Sequence, residues 1–179
     1  KIKLIILVLQ QKDLINQMHI ATKSSRINIS EEIKTKSIAE VFSNNIKAGD
    51  TLLLRGELGV GKTTFIRYLI NFLQKKNKQS ITEISSPTFN LVHEYKLGSL
   101  IIKHYDLYRI NDEKELTNIG IYEGNSDEIT LIEWPEKMKK YNTNNIIDLS
   151  FEYDDEFKKR FLNISSSNNV DFLDEFKKS

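Results

Sequence analysis

The run Gly56-Glu57-Leu58-Gly59-Val60-Gly61-Lys62-Thr63-Thr64 has the residue types and spacing needed to hold a polyphosphate. It fits G-x-x-x-x-G-K-[ST], in which backbone N–H groups, a lysine and a hydroxyl converge on phosphate oxygens. Gly56, Gly59 and Gly61 let the backbone turn tightly and aim N–H groups inward. Lys62 brings a compact cation to the β- and γ-phosphates. Thr63 offers a hydroxyl to Mg²⁺, a cation that prefers oxygen ligands. The expected cofactor-binding residues are therefore Glu57, Gly59, Val60, Gly61, Lys62, Thr63 and Thr64.

Such a site also needs a carboxylate at a strand end to hold Mg²⁺, directly or through water. Two residues qualify. Asp106 follows Leu100-Ile101-Ile102-Lys103-His104-Tyr105, and Glu133 follows the cleaner apolar run Ile129-Thr130-Leu131-Ile132. Mg²⁺ has six coordination positions, so both can serve, one directly and the other through water or as a water-positioning base. Thr88, just after Pro87, is a candidate switch residue that senses the terminal phosphate. Lys62, Asp106, Glu133 and Thr88 form the expected catalytic set, and Thr63, Glu133 and Asp106 the expected metal set. Arg109 is read as a charge stabiliser, a partner contact or a plain salt bridge to Asp106. Trp134 is read as a core or surface-anchored aromatic. His19, His93 and His104 lack metal-ligand spacing and are read as structural or exposed. Guanine recognition usually brings N-K-x-D; Asn77-Lys78-Gln79-Ser80 lacks the Asp, which favours ATP over GTP.

These side chains must be positioned by strands and helices that the pattern also predicts. Thr51–Arg55 is a short apolar run ending at Gly56, hence a buried strand. Phe65, Ile66, Leu69, Ile70 and Leu73 mark one face of the following helix, with Lys75 and Lys76 suited to its C-terminal end and Asn77 to its stop. Before the loop, Arg26–Ile29 reads as an edge strand. Ser30 is the expected cap of a helix with Glu31 and Glu32 in its first turn. Ile38, Val41, Phe42 and Ile46 supply the buried stripe of that helix. Further on, Phe89–Tyr95 and Leu100–Tyr108 read as a hairpin around Lys96-Leu97-Gly98-Ser99. Asp112–Asn118 reads as a short helix closed by Gly120, and Ile129–Ile132 as a buried strand. Ile146–Tyr153 and Phe161–Ile164 alternate like antiparallel strands. The order predicts an α/β fold, a three-layer domain with a mixed central sheet of the P-loop NTPase kind, with the nucleotide at the C-terminal ends of the central strands.

A chain of 179 residues suits one ordinary domain. Residues 26–165 are its expected extent, 1–25 an N-terminal extension and 166–179 a polar tail. The tail carries Phe172, Leu173 and Phe176 as an isolated apolar cluster. The first residues resemble a signal peptide only superficially, since the apolar run Leu4–Leu9 is short and no small-x-small site follows. Met18 lies just ahead of the first strand-like segment, so residues 1–17 read as an upstream start-site assignment. No run is long enough to span a bilayer. Basic and acidic residues number 26 and 25, so no strong basic field announces DNA. Cysteine is absent, which rules out disulfides and thiolate metal sites and is compatible with a reducing cytoplasm.

Four segments in order, GELGVGKTT (56–64), SPTFNLVHEY (86–95), HYDLYR (104–109) and LIEWPEK (131–137), resemble the TsaE family, formerly YjeE. These are small bacterial ATPases of tRNA threonylcarbamoyladenosine biosynthesis. The resemblance runs from about residue 26 to about residue 165. It implies binding of ATP and Mg²⁺, weak hydrolysis by the protein alone, and association with the TsaB–TsaD pair that transfers the threonylcarbamoyl group, with tRNA engaged only indirectly. It assigns the phosphate and Mg²⁺ roles to Lys62 and Thr63, a metal-linked role to Glu133 and a Walker-B-like role to Asp106. Thr88 corresponds to a switch-like threonine, and Trp134 to a tryptophan beside the site. Adenine would lie near Ser30–Glu32. The N-terminal extension is not part of the family pattern, and Pro135 stiffens the turn after Glu133. Two other readings share the glycine loop: a small-molecule kinase, disfavoured because the arginines are scattered rather than gathered in a lid, and a nucleotide-dependent binding module.

Overall fold

A computed structural model of the protein describes residues 26–123, 126–139 and 145–166. The elements are β1 (Ile27–Asn28), α1 (Glu32–Asn45), β2 (Thr51–Arg55), α2 (Lys62–Lys76), β3 (Val92–Leu97), β4 (Leu100–Asp106), α3 (Glu113–Asn118), β5 (Glu128–Glu133), a 3₁₀ turn (Pro135–Lys137), β6 (Ile146–Tyr153) and β7 (Arg160–Ser166). The seven strands form one mixed sheet in the order β1-β7-β6-β2-β5-β4-β3. β2 is central and parallel to both β5 and β6, and β4 is parallel to β5. At the margins, β3 against β4, β7 against β6 and β1 against β7 are antiparallel. The α/β fold with a mixed sheet is the one expected.

Alternation along the central strands sorts side chains onto two faces. Leu52 and Leu54 of β2 and Leu131 of β5 pack with Phe42 of α1 and Phe65, Ile66, Leu69, Ile70 and Leu73 of α2. Leu53, Tyr105 and Ile132 point the other way, to a smaller core closed by Leu107, Ile110, Leu116 of α3 and Ile121. Phe65 is fully buried, edge-on to Phe42 at 5.4 Å and to Phe151 of β6 at 6.1 Å. Edge-to-face rings are the favoured aromatic arrangement. They lock the start of α2 against the sheet, and the glycine loop is the connection they hold. No helix of the described residues is long and apolar enough to cross a membrane.

Four local expectations shift. α1 is preceded by Glu31, without a side-chain cap, and not by Ser30. The Ser30 hydroxyl instead donates to Asn28 Oδ1 and accepts from the Arg160 N–H, tying β1 to β7. The first hairpin strand starts at Val92 instead of Phe89, because the Leu91 N–H turns back to the Pro87 carbonyl with φ at 65°. β4 stops at Asp106, whose Oδ1 accepts from the Tyr108 N–H and bends the chain out of the sheet. β7 continues through Ser165 and Ser166, which pair with Asp148 and Ile147. The expectations for residues 1–25 and for the tail beyond Ser166 lie outside the described residues.

α3 is only six residues long, so its ends matter. Asp112 accepts from the Lys114 N–H while Glu115 reaches back to the Asp112 N–H, a complete capping box. Removing the cap typically costs about 1 kcal/mol. Asp112→Ala is therefore expected to lower the unfolding free energy by about 1 kcal/mol, read as a lower denaturation midpoint at unchanged slope of the transition.

Candidate phosphate-binding site

The loop between β2 and α2 is shaped by close approach and by left-handed backbone. Gly56 has φ of 128°, and a Cβ there would overlap the Phe151 carbonyl of neighbouring β6. Gly59 and Gly61 have φ of 78° and 121°. The chain then enters α2 at Lys62. Among the described residues no side chain caps this helix, and its first turn holds no acidic residue. Its first N–H groups and the positive end of its dipole thus face the loop with no acidic side chain of the helix's own between them.

Lys62 is 4% exposed. Its ammonium donates to the carbonyls of Gly56 at 2.6 Å and Glu57 at 2.9 Å. It also lies 4.0 Å from the centre of the Trp134 ring. Among the described residues it makes no ion pair. Burial pushes its pKa below the usual lysine value, partly opposed by the fields of Glu133, Glu136 and Asp106. The cation is held by neutral dipoles and a π face, both weaker compensation than a carboxylate.

Register decides how the acidic residues reach this point. Leu54 of β2 is paired with Glu133 of β5, and Glu133 with Asp106 of β4. The strand of Glu133 thus flanks the loop-bearing strand, and the strand of Asp106 lies one further out. The Thr63 hydroxyl contacts both Glu133 oxygens, at 2.9 and 3.0 Å. Asp106 does not touch Thr63. Its Oδ2 accepts from the hydroxyls of Ser86 and Thr88, the latter at 2.6 Å, and its Oδ1 from the Tyr108 N–H at 3.0 Å. Both carboxylates are almost fully buried. The Trp134 backbone is left-handed, with φ of 60°, and its N–H donates to the Leu54 carbonyl. This turn brings the indole back over Lys62 and against Tyr108, and Pro135 opens the 3₁₀ turn behind it.

A cleft of about 270 Å³ is lined by Gly59, Gly61, Lys62, Thr63, Thr64, Ser86, Thr88, Asp106, Glu133 and Trp134, together with Leu58, Tyr108 and Arg109. Most of the expected residues thus meet at one place. Glu57 and Val60 do not line it. Glu57 contributes its carbonyl to Lys62 and otherwise faces a second depression on the β6 side, and the Val60 side chain is fully buried in the core. Arg109 stacks on Phe89, with its guanidinium 4.3 Å from the ring centre, rather than pairing with Asp106. Ser30 is linked to the loop only through Arg160, whose guanidinium donates to the Ser30 carbonyl and stands near Gly61. Two participants escaped the reading of the sequence. Ser86 carries no signal of its own in the sequence beyond its place in the block 86–95. His104, read as structural or exposed, stands two residues before Asp106 on one strand, which puts both on the same face, and its Nε2 lies 2.9 Å from Glu133 Oε1.

The model of the family "Threonylcarbamoyl adenosine biosynthesis protein TsaE" matches residues 29–161. The chain belongs to the TsaE family. It is 38% identical over 148 residues to the tRNA threonylcarbamoyladenosine biosynthesis protein TsaE of Rickettsia felis, covering 81% of this chain and 84% of that one. It is 36% identical over 132 residues to the TsaE protein of Aquifex aeolicus, covering 74% and 90%. The crystal structure of Bacillus subtilus YdiB superimposes with a TM-score of 0.61 over 87% of this chain and 95% of that one. At 23% identity that likeness speaks for the fold alone. All four sequence blocks that carried the resemblance fall within the matched region.

Proposed function

We propose that the chain is a Mg²⁺-dependent ATPase of the cytoplasm, weak alone, that supports tRNA threonylcarbamoyladenosine formation together with the TsaB–TsaD pair. The observation that carries the ATPase reading is the buried Lys62 cation. It faces a cleft, lacks a carboxylate partner among the described residues, and stands beside an uncapped helix N-terminus. That combination is complementary to a phosphate group. The role in tRNA modification rests on family membership, and the TsaB–TsaD partnership on the family resemblance.

The donor set also fits Mg²⁺. Thr63 and Glu133 offer oxygens in mutual contact, and no cluster of three or more acidic, histidine or cysteine ligands exists among the described residues. Mg²⁺ sites in nucleotide enzymes characteristically use one or two protein oxygens and leave the rest to phosphates and water. Thr63 and Glu133 would hold the ion. When bound, it supplies charge neutralisation across the phosphates and polarises the terminal one. Lys62 binds the β- and γ-phosphates from the loop side, and Trp134 covers its ammonium from water. Both Asp106 oxygens are already engaged, which suits a residue that fixes Ser86 and Thr88 at the rim of the cleft. Thr88 is thereby poised to exchange its Asp106 contact for a terminal phosphate oxygen.

The test is Mg²⁺-dependent release of inorganic phosphate from ATP, alone and with TsaB–TsaD added. Stimulation by the pair is the expected result. Transfer of labelled phosphate to an organic acceptor would replace this reading with a kinase. Trp134 is the only tryptophan of the chain, so its fluorescence reports occupancy of the cleft directly.

A further inference from the structure

His104 is fully buried on β4, and its imidazole has one hydrogen-bond partner among the described residues. Its Nε2 lies 2.9 Å from Glu133 Oε1, while its Nδ1 finds no partner among the described residues. A carboxylate only accepts, so Nε2 carries the proton and donates it. A polar ring in the core with one nitrogen unsatisfied is costly compared with an apolar side chain of similar size. The neighbouring positions on that face, Ile102 of β4 and Leu131 of β5, are apolar and fully buried. The bond to Glu133 is what distinguishes the histidine from a leucine here.

The geometry around the carboxylate is directional. His104 sits behind Glu133, on the side away from the cleft that Glu133 and Thr63 line. Glu133 Oε1 is thus held from behind by the ring, and the Thr63 hydroxyl meets both oxygens from the front. A glutamate has three side-chain torsions, and its carboxylate needs such a second contact to keep one orientation. Hydrogen bonds that orient ligating carboxylates typically matter 10- to 100-fold for metal affinity or activity.

We propose that His104 is a positioning residue that aims the Glu133 carboxylate at Thr63 and at the cation these two would share. The inference rests on the Mg²⁺–ATP reading above and names a residue that this reading does not use.

The experiment follows Trp134 fluorescence during titration with a non-hydrolysable ATP analogue, at several Mg²⁺ concentrations and in EDTA. It compares the wild type, His104→Leu and His104→Gln, with thermal melts as a check on folding. In His104→Leu the Mg²⁺ concentration for half-maximal effect is expected to rise about tenfold or more, while affinity in EDTA changes far less. The glutamine amide keeps an N–H donor, so His104→Gln recovers part of the loss. Combining His104→Leu with Glu133→Gln is expected to add little to Glu133→Gln alone, because both act through one carboxylate. Unchanged Mg²⁺ dependence in a folded His104→Leu would overturn the inference, as would full additivity with Glu133→Gln. Should neither His104 variant fold, ¹⁵N NMR of the wild-type ring decides. An Nε2–H signal that shifts when Mg²⁺ is added to the analogue complex supports the role, and one indifferent to Mg²⁺ overturns it. A wild type that shows no Mg²⁺-dependent binding at all would instead remove the reading under Proposed function, which separates the two failures.

Discussion

Lys62→Ala is expected to weaken ATP binding and hydrolysis by about ten- to a hundredfold, the equivalent of one charge-assisted hydrogen bond of about 1.5–3 kcal/mol. The substitution removes the cation that the loop carbonyls and Trp134 hold at the cleft. The fold should tolerate the change, since Lys62 makes no ion pair among the described residues and its partners at Gly56 and Glu57 are carbonyls beside a cleft. A pH series sharpens the prediction. Burial lowers the Lys62 pKa in the free protein, and an incoming phosphate favours the charged form. Binding therefore takes up a proton in the alkaline range, and ATP affinity falls as pH rises through the lowered pKa. That alkaline limb should vanish in Lys62→Ala. Calorimetric titration of ATP into both proteins across the alkaline range measures both effects, and equal affinities would remove the phosphate role from Lys62.

Gly56→Ala is expected to be the most damaging small substitution in the loop, and through stability rather than chemistry. Two costs combine. The backbone at φ of 128° is strained for any residue with a Cβ, at about 1–3 kcal/mol. The added methyl would overlap the Phe151 carbonyl of β6, and forced overpacking adds about 1–3 kcal/mol more. Arg55 pairs with Ser150 just before this point, so the loop cannot swing away without breaking the β2–β6 ladder. A fall in melting temperature on the order of 10 °C follows from losses of that size. Gly59→Ala is the comparison. That position also has positive φ, but a Cβ there would meet only the Tyr153 hydroxyl at 3.7 Å, so it should lose less. Thermal melts of the two variants, side by side, separate overlap from backbone strain; equal losses would show that the Phe151 contact contributes nothing.

Much of this molecule is legible in its sequence. Local signals needed no tertiary partner to be read: the glycine spacing of 56–61, the apolar stripe of α2, the two runs ending at Asp106 and Glu133, and the turn at Gly98. Each depends on backbone preference or on a period of 2 or 3.6, which neighbouring residues alone determine. The family was legible too, because four short blocks in order constrain identity far more than any one does. Strand order was not. Nothing in the sequence said that β5 lies between β2 and β4, yet this insertion puts Glu133 beside Thr63 and leaves Asp106 to Ser86 and Thr88. Which of two equivalent-looking carboxylates stands nearest the loop is a matter of register across strands that are distant in the chain. The same holds for Trp134, whose left-handed turn swings its ring over Lys62, and for His104, which acquires a partner only when residue 133 is folded against it. The sequence by itself determined which groups are available and which elements carry them. Only the tertiary structure decided which groups face one another, because facing is set by long-range pairing and packing that no local preference encodes.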